Sequence, residues 1–183
     1  MGDVRKRPTR LHRSRDKLEE GSIIKDILTL VLKILVIVGA FIIVFTFIYG
    51  LHQVVDQSMR PAFQDGDIIV YYRLNKDLSA QDVVLLNYQG QQQVRRVVAV
   101  SGDTVDITTD GLVINGALQQ EQDIGQKTQR YEQGVTFPLT VGNGEVFVLA
   151  DVRDNATDSR IYGCVKETDC LGSVFTLLRR RSF

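Results

Sequence analysis

The sequence has little of what metal-binding and disulfide-rich proteins need. Its 183 residues include two cysteines, two histidines and no tryptophan. Structural metal sites need clustered Cys, His or carboxylate ligands, and no such spacing occurs. The sequence therefore predicts neither a metal nor another cofactor. Cys164 and Cys170 are separated by five residues, a spacing that can close over a turn, so a disulfide between them stays an open alternative.

The chain also lacks net charge, because 22 Lys/Arg balance 22 Asp/Glu. The net charge is zero because a basic region and an acidic region cancel each other. Residues 1–26 carry eight Lys/Arg against five Asp/Glu, whereas residues 50–183 carry thirteen against seventeen. A mildly acidic domain does not attract a phosphate backbone, so nucleic acid is not the expected partner. The basic tail is interpreted as a topology signal, with contact to anionic headgroups as the alternative.

One long apolar run spans residues 27–49. As a helix these residues would be about 34 Å long, enough to cross a bilayer. Lys33 lies near one end, where its ammonium can reach the interface, and Tyr49 suits the opposite boundary. No small-residue cleavage site follows, which argues against a removable signal peptide. A buried core helix would rarely stay apolar for so long.

We therefore predict an uncleaved transmembrane anchor at 27–49, between a tail at 1–26 and a main domain at 50–183. The excess of Lys/Arg before the run predicts a cytoplasmic amino terminus and an extracytoplasmic main domain.

After the run, short alternating or apolar stretches are broken by Asp-Gly and Asn-Gly dipeptides, which favour tight turns. No alternation of strands with helices is visible, so the domain is predicted to be mostly β. Residues 117–144 are rich in Gln, Gly and Thr and could be a surface loop or strands at the rim. The predicted strands are 68–72, 83–88, 94–100, 105–108, 112–114, 146–150 and 174–178.

Four segments resemble those of bacterial type I signal peptidases, the Ser–Lys serine endopeptidases that remove signal peptides from exported proteins. They occur in the family's order behind the predicted anchor. The resemblance implies a single transmembrane helix followed by a folded antiparallel sheet or open barrel. The segments are Ser58-Met59-Arg60-Pro61, Gly66-Asp67-Ile68-Ile69-Val70, Arg95-Arg96-Val97-Val98-Ala99-Val100-Ser101-Gly102-Asp103, and Ala150-Asp151-Val152-Arg153-Asp154-Asn155-Ala156-Thr157-Asp158-Ser159-Arg160.

By this resemblance Ser58 takes the position of the nucleophile, and Asp158 and Arg160 that of a supporting ion pair. Met59 is expected to form a pocket wall, with a plain core methionine as the alternative. Arg95 stands where the family has its general-base lysine. A buried lysine can become neutral near pH 7 and accept the serine proton. A guanidinium stays protonated in essentially any protein site and cannot.

Other departures from the family pattern cluster around the same position. Asp56 replaces a Gly or Ser that helps to shape the oxyanion hole, where a carboxylate would raise the barrier. Ala156 replaces the serine that hydrogen-bonds the lysine. Further replacements are Ala99 and Ala150 for glycine and Val152 for asparagine.

Three residues come into question for new roles at this site. Arg95 is expected to pair with Asp56 across it. Lys76 and His52 are the alternatives for a replacement base. An interfacial residue is the competing interpretation of His52, because it follows the membrane run closely.

Two functions remain as alternatives. The first is a serine endopeptidase of the bacterial plasma membrane that removes signal peptides from exported pre-proteins. The second is a catalytically inactive or impaired relative that binds such peptides, or other membrane-anchored clients, as an assembly or chaperone-like factor. Both imply contact with the lipid bilayer. A self-cleaving regulator of the soluble Ser–Lys type is disfavoured by the anchor and by the lack of a DNA-binding module.

Overall fold

The computed structural model describes residues 10–74, 77–121, 124 and 126–179, with side chains from Ile23 onward. The chain divides into two compact units, Met1–Phe45 and Thr46–Phe183. Lys76, one of the two alternative bases, lies outside the described residues.

The first unit is formed by a single helix, α1, which spans Arg10–Phe47. Its portion Ile23–Phe47 has a mean hydropathy of 3.0 and its side chains are not buried by the protein. This portion is long and apolar enough to cross a membrane. The helix begins well before the predicted residue 27. Extending an existing helix adds one hydrogen bond per residue with no new nucleation, which explains the longer element.

The second unit is built from eleven strands, which form two sheets in which every pairing between described strands is antiparallel. The predicted mostly-β fold behind an apolar helix is therefore confirmed. The strands are β1 Tyr49–Gln53, β2 Ile68–Tyr72, β3 Val83–Tyr88, β4 Gln91–Val100, β5 Thr104–Thr108, β6 Gly111–Ile114, β7 Ala117–Leu118, β8 Leu139–Thr140, β9 Glu145–Leu149, β10 Val165–Lys166 and β11 Cys170–Leu178.

The larger sheet has the order β1-β2-β11-β3-β4-β9-β10, and the smaller has the order β7-β6-β5-β8. A one-turn helix, α2 (Ser159–Tyr162), follows β9 and leads through a 3₁₀ turn at Glu167–Asp169 to the last strand. Three clusters of buried apolar side chains fill the domain. One contains Met59, Phe63, Ile69 and Leu85, and it packs under the loop that carries Ser58.

Turn chemistry behaves as predicted at three dipeptides. Gly66, Gly111 and Gly116 all have positive φ, a conformation that only glycine adopts without cost. Residues 117–144 are mostly loop, with the two short strands β7 and β8 at their ends.

The predicted strands at 68–72 and 83–88 have the same bounds in the structure, and β4 begins three residues earlier than predicted, at Gln91. Strand β1 was not predicted. Its first residue is Tyr49, which the sequence had suggested as the last residue of the membrane span. Tyr49 pairs with Tyr72 in β2. Pairing with a neighbouring strand, rather than local composition, therefore decides its conformation.

Candidate active site

Three stretches of the β domain meet at Ser58: the loop between β1 and β2, strand β4, and the loop between β9 and α2. The first loop is closed at its base by backbone hydrogen bonds of 2.8 Å from Val54 N to Asp67 O and from Gly66 N to Val54 O. Met59 and Phe63 anchor it in the core. Val152 N of the third stretch donates to Ser58 O at 2.7 Å, so the serine backbone is fixed from two sides.

The Ser58 hydroxyl lies between a carboxylate and a guanidinium. Its Oγ donates to Asp56 Oδ1 at 2.7 Å and accepts from Arg95 Nη1 at 2.8 Å. The backbone N–H of Ser58 donates to the same Asp56 Oδ1 at 3.1 Å. One carboxylate oxygen thus receives both donors of the serine.

Arg95 is held rigidly, which explains how a cation can be buried here. Its residue surface is 3% exposed. Nε and Nη2 both donate to the carbonyl oxygen of Thr157, at 3.1 and 2.9 Å. Nη1 donates in addition to Val94 O at 2.6 Å. Carbonyl oxygens therefore satisfy most of the fork, and only its Nη1 side faces Ser58 and Asp56.

The predicted pairing of Arg95 with Asp56 is present. Arg95 Nη1 lies 3.6 Å from Asp56 Oδ2, and the two side chains are 4% and 43% exposed. The pair is unequal, because the cation is fixed in the interior whereas the carboxylate sits on the rim.

Asp158 and Arg160 form the predicted ion pair in the interior. Arg160 Nε and Nη2 donate to the two carboxylate oxygens of Asp158, each at 2.9 Å, and both side chains are almost fully buried. Asp158 also caps α2 and accepts from Ala150 N at 3.2 Å. The pair therefore shapes the third stretch, whose carbonyl at Thr157 holds Arg95.

Met59 is completely buried in a core cluster with Val54, Phe63 and Ile69. Its position matches the alternative interpretation, a core methionine, rather than a pocket wall. His52 lies in β1 opposite Ile69 and makes no hydrogen bond to Ser58 within the described part of the chain.

The structure brings in two groups that the sequence did not suggest. The carbonyl of Thr157 could not be found from sequence, because a backbone acceptor has no residue signature. The second is Asp151, which forms a two-pronged ion pair with Arg96 at 2.9 and 2.7 Å. The sequence did contain a signal for this contact, because Arg96 and Asp151 carry opposite charges and each stands in a family segment.

Strand β4 has an unpaired edge beside this site. Its pairing with β9 runs from Val100 only to Arg96. Residues 91–95 pair with β3 on one side and, among the described strands, with none on the other. A polypeptide in extended conformation could add to such an edge through backbone hydrogen bonds.

Two further titratable groups are perturbed near the core. Burial raises the pKa of Tyr162, and the nearby Arg95 charge opposes that shift. Cys164 and Cys170 are not joined by a disulfide. Burial also raises the pKa of the Cys164 thiol, so this sulfur is a weak nucleophile at neutral pH.

The β domain is antiparallel and follows a helix that could span a membrane, and a serine hydroxyl lies beside a buried cation in that domain. A family model described as "Signal peptidase, peptidase S26" matches residues 27–178. The chain therefore belongs to the signal peptidase family, whose members act on signal peptides of exported proteins.

Two relatives in sequence agree with this assignment. A signal peptidase IB of Staphylococcus aureus is 29% identical over 82% of this chain and 88% of its own length. A signal peptidase I of Bacillus amyloliquefaciens is 29% identical over 69% and 74%. A crystal structure of a signal peptidase I from Enterococcus faecalis is 28% identical, covering 55% of this chain and 97% of that chain with a TM-score of 0.47.

Proposed function

We propose that this protein is a membrane-anchored member of the signal peptidase family that binds the signal-peptide region of exported proteins and cleaves it slowly or not at all. In this proposal α1 anchors the chain in a bacterial plasma membrane, residues 1–26 are cytoplasmic, and the β domain is extracytoplasmic. Ser58 occupies the nucleophile position and Arg95 the position of the general base.

One observation carries the proposal: Asp56 Oδ1 accepts both the O–H and the N–H of Ser58. Acyl transfer needs a base to remove the hydroxyl proton and free N–H donors to stabilise the oxyanion. The serine N–H is one such donor in the family pattern, and here it already serves a carboxylate. A negative charge at that place repels a developing oxyanion.

The base is missing as well. Arg95 donates to the hydroxyl oxygen and cannot accept its proton. Loss of general base catalysis alone typically costs about 10² to 10⁴ in rate. Residues 91–95 lack a strand partner on one side among the described strands, which supports peptide binding without efficient turnover, although Gln93, Val94 and Arg95 are buried in the free protein.

A second candidate function, signal-peptide cleavage by an altered dyad, is favoured by one distance. Asp56 Oδ1 lies 2.7 Å from Ser58 Oγ and is the acceptor of its hydroxyl in the ground state. A carboxylate is a weaker base than the lysine of the family pattern, so this route would be slower than that of a Ser–Lys pair.

The test uses the full chain in lipid nanodiscs with a fluorescently labelled pre-protein, and it measures binding and cleavage in parallel. We expect wild type and Ser58→Ala to bind the pre-protein equally and to leave it intact. Efficient cleavage by wild type that is absent in Ser58→Ala would refute the first candidate. If Asp56→Asn also removed such cleavage, the second candidate would replace it.

Arg95→Lys restores the lysine of the family pattern, and Arg96→Lys is its matched control. It makes the same chemical change at the next residue, whose side chain is paired with Asp151 instead of Ser58. If a change in binding or cleavage came only from losing a guanidinium in β4, both variants would show it. If it came from the contact with Ser58, only the Arg95 variant would show it.

A further inference from the structure

The groups that contact Asp56 form a binding site for a carboxylate. Two hydrogen bonds and one ion pair hold this group: the Ser58 hydroxyl donates at 2.7 Å, the Ser58 N–H donates at 3.1 Å, and Arg95 Nη1 lies 3.6 Å away. Charge-assisted donors of this kind recognise carboxylates strongly, particularly where a buried arginine contributes. The chain therefore contains a carboxylate site and fills it with its own side chain.

Arg95, which holds the carboxylate, is fixed in the interior, whereas the Asp56 side chain that supplies the carboxylate is exposed. Arg95 is 4% exposed in its side chain and is clamped by Thr157 O, whereas the Asp56 side chain is 43% exposed. Apart from the contacts to Ser58 and Arg95, no hydrogen bond or ion pair of the Asp56 carboxylate occurs within the described residues. An outward rotation of Asp56 would leave Arg95 and Ser58 in place for another carboxylate.

The unpaired edge of β4 leads to the same point. Residues 91–95 are in extended conformation, and Arg95 ends the unpaired stretch. A peptide added along this edge would bring its own end, or an internal peptide bond, close to Arg95 and Ser58. An internal amide is neutral and gains little from Arg95. A carboxyl terminus carries a negative charge, which can pair with the Arg95 guanidinium once Asp56 has moved away.

We propose that the site formed by Arg95 and Ser58 binds the free α-carboxylate of an extended peptide, in exchange for Asp56. The preferred ligand is thus a peptide with a free carboxyl end, such as the product of a proteolytic cleavage, rather than an uncut chain. This inference rests on the proposed peptide-binding function and specifies its ligand. Asp56 acts in it as an internal competitor, whose high effective concentration weakens but does not prevent ligand binding.

The test compares two labelled peptides of the same sequence, ending in Ala-x-Ala, one with a free carboxylate and one with a carboxamide. Binding to the full chain in lipid nanodiscs is measured by fluorescence anisotropy. We expect wild type to bind the acid at least about tenfold more tightly than the amide, a difference typical of one charge-assisted contact. Asp56→Ala should tighten binding of the acid further and change binding of the amide little.

Arg95→Gln is the decisive variant, and Arg96→Gln is its control. Arg95→Gln should remove the preference for the acid while amide binding persists, and Arg96→Gln should keep the preference. Circular dichroism and thermal unfolding of each variant confirm that the fold is retained. Equal binding of acid and amide by both wild type and Asp56→Ala would overturn this inference and leave the proposed function intact. Binding of neither peptide would overturn both.

Discussion

At the scale of single residues, the site differs from that of a Ser–Lys protease in the charged groups that contact the serine hydroxyl. A neutral lysine accepts a proton, whereas Arg95 only donates. The Asp56 carboxylate adds a negative charge that accepts from both the N–H and the hydroxyl of Ser58. The two substitutions compensate each other electrostatically, because the buried guanidinium and the rim carboxylate form an ion pair. With either change alone, the charged side chain would lack this ion-pair partner.

The pair formed by Asp158 and Arg160 provides a stability prediction at this scale. Arg160→Gln leaves a buried carboxylate without its cation, so we expect the free energy of unfolding to fall by about 3–5 kcal/mol. Arg130→Gln is the matched control, because Arg130 pairs with Asp106 at the surface. Its loss should cost about 1 kcal/mol or less. Denaturant unfolding of the full chain in detergent measures both, and equal losses would contradict the assignment.

The sequence identified Ser58, Asp56, Arg95, Asp158 and Arg160 as one constellation, because four of them stand in family segments and Asp56 precedes Ser58 by two residues. The Arg95–Asp56 contact was also accessible, since opposite charges replaced two site residues together. The role of Met59 was not, because a methionine next to Ser58 suits a pocket wall and a core equally well. Whether it is buried depends on how the loop folds back on β2 and β3.

At the scale of elements, the last strand fastens the loop that carries Ser58. Arg179 follows the end of β11 and donates to Asp67, at the end of that loop, at 2.8 Å, and to Ala62 O at 3.1 Å. The Arg179 hydrogen bond lowers the pKa of Asp67 below its ordinary value of 3.8. This contact joins residues that are far apart in sequence.

The contact predicts a defined pH dependence. Because the folded-state pKa of Asp67 is depressed, its stabilisation is present above the unfolded pKa and disappears as pH falls through the folded pKa. We therefore expect Arg179→Gln to be less stable than wild type at pH 7 and the difference to shrink below about pH 4. Urea unfolding across this range measures it.

Arg73→Gln is the control for this experiment, because Arg73 contacts Tyr49 O and the ring of Tyr71 rather than a carboxylate. Its effect on stability should not change between neutral and acidic pH. A difference between Arg179→Gln and wild type that stays constant down to about pH 2.5 would contradict the role given to Asp67.

Most long strands were predictable because their alternation and β-branched residues are local signals. The elements that were missed depend on distant partners. Strand β1 exists through pairing with β2, and the two-residue strands β7 and β8 through pairing with β6 and β5. The helix α2 is a single turn capped by Asp158, too short for a periodic pattern.

At the scale of the whole molecule, the proposed orientation has residues 1–26 in the cytoplasm and the β domain outside it. The apolar portion of α1 could cross a membrane, and the excess of basic residues before it predicts that the β domain is exported. In that arrangement Ser58 would meet peptides only outside the cytoplasm.

Topology is tested with two single-cysteine substitutions and a membrane-impermeant maleimide applied to intact cells. We expect Ser79→Cys, at an exposed position of the β domain, to be labelled, and Ser14→Cys, in the amino-terminal region, to be labelled only after lysis. Wild type serves as the control for reaction of Cys164 and Cys170. Labelling of Ser14→Cys in intact cells, without labelling of Ser79→Cys, would reverse the proposed orientation.

The central claim is that Arg95, Asp56 and Ala156 together disable the catalytic site of a signal-peptidase scaffold. The most direct measurement is the rate of pre-protein cleavage by the variant Asp56→Ser/Arg95→Lys/Ala156→Ser in nanodiscs, with the same variant carrying Ser58→Ala as the control. The account predicts cleavage that depends on Ser58 and is at least about 10² times faster than that of wild type. A variant no faster than wild type, or a wild type that already cleaves at the variant's rate, would contradict it.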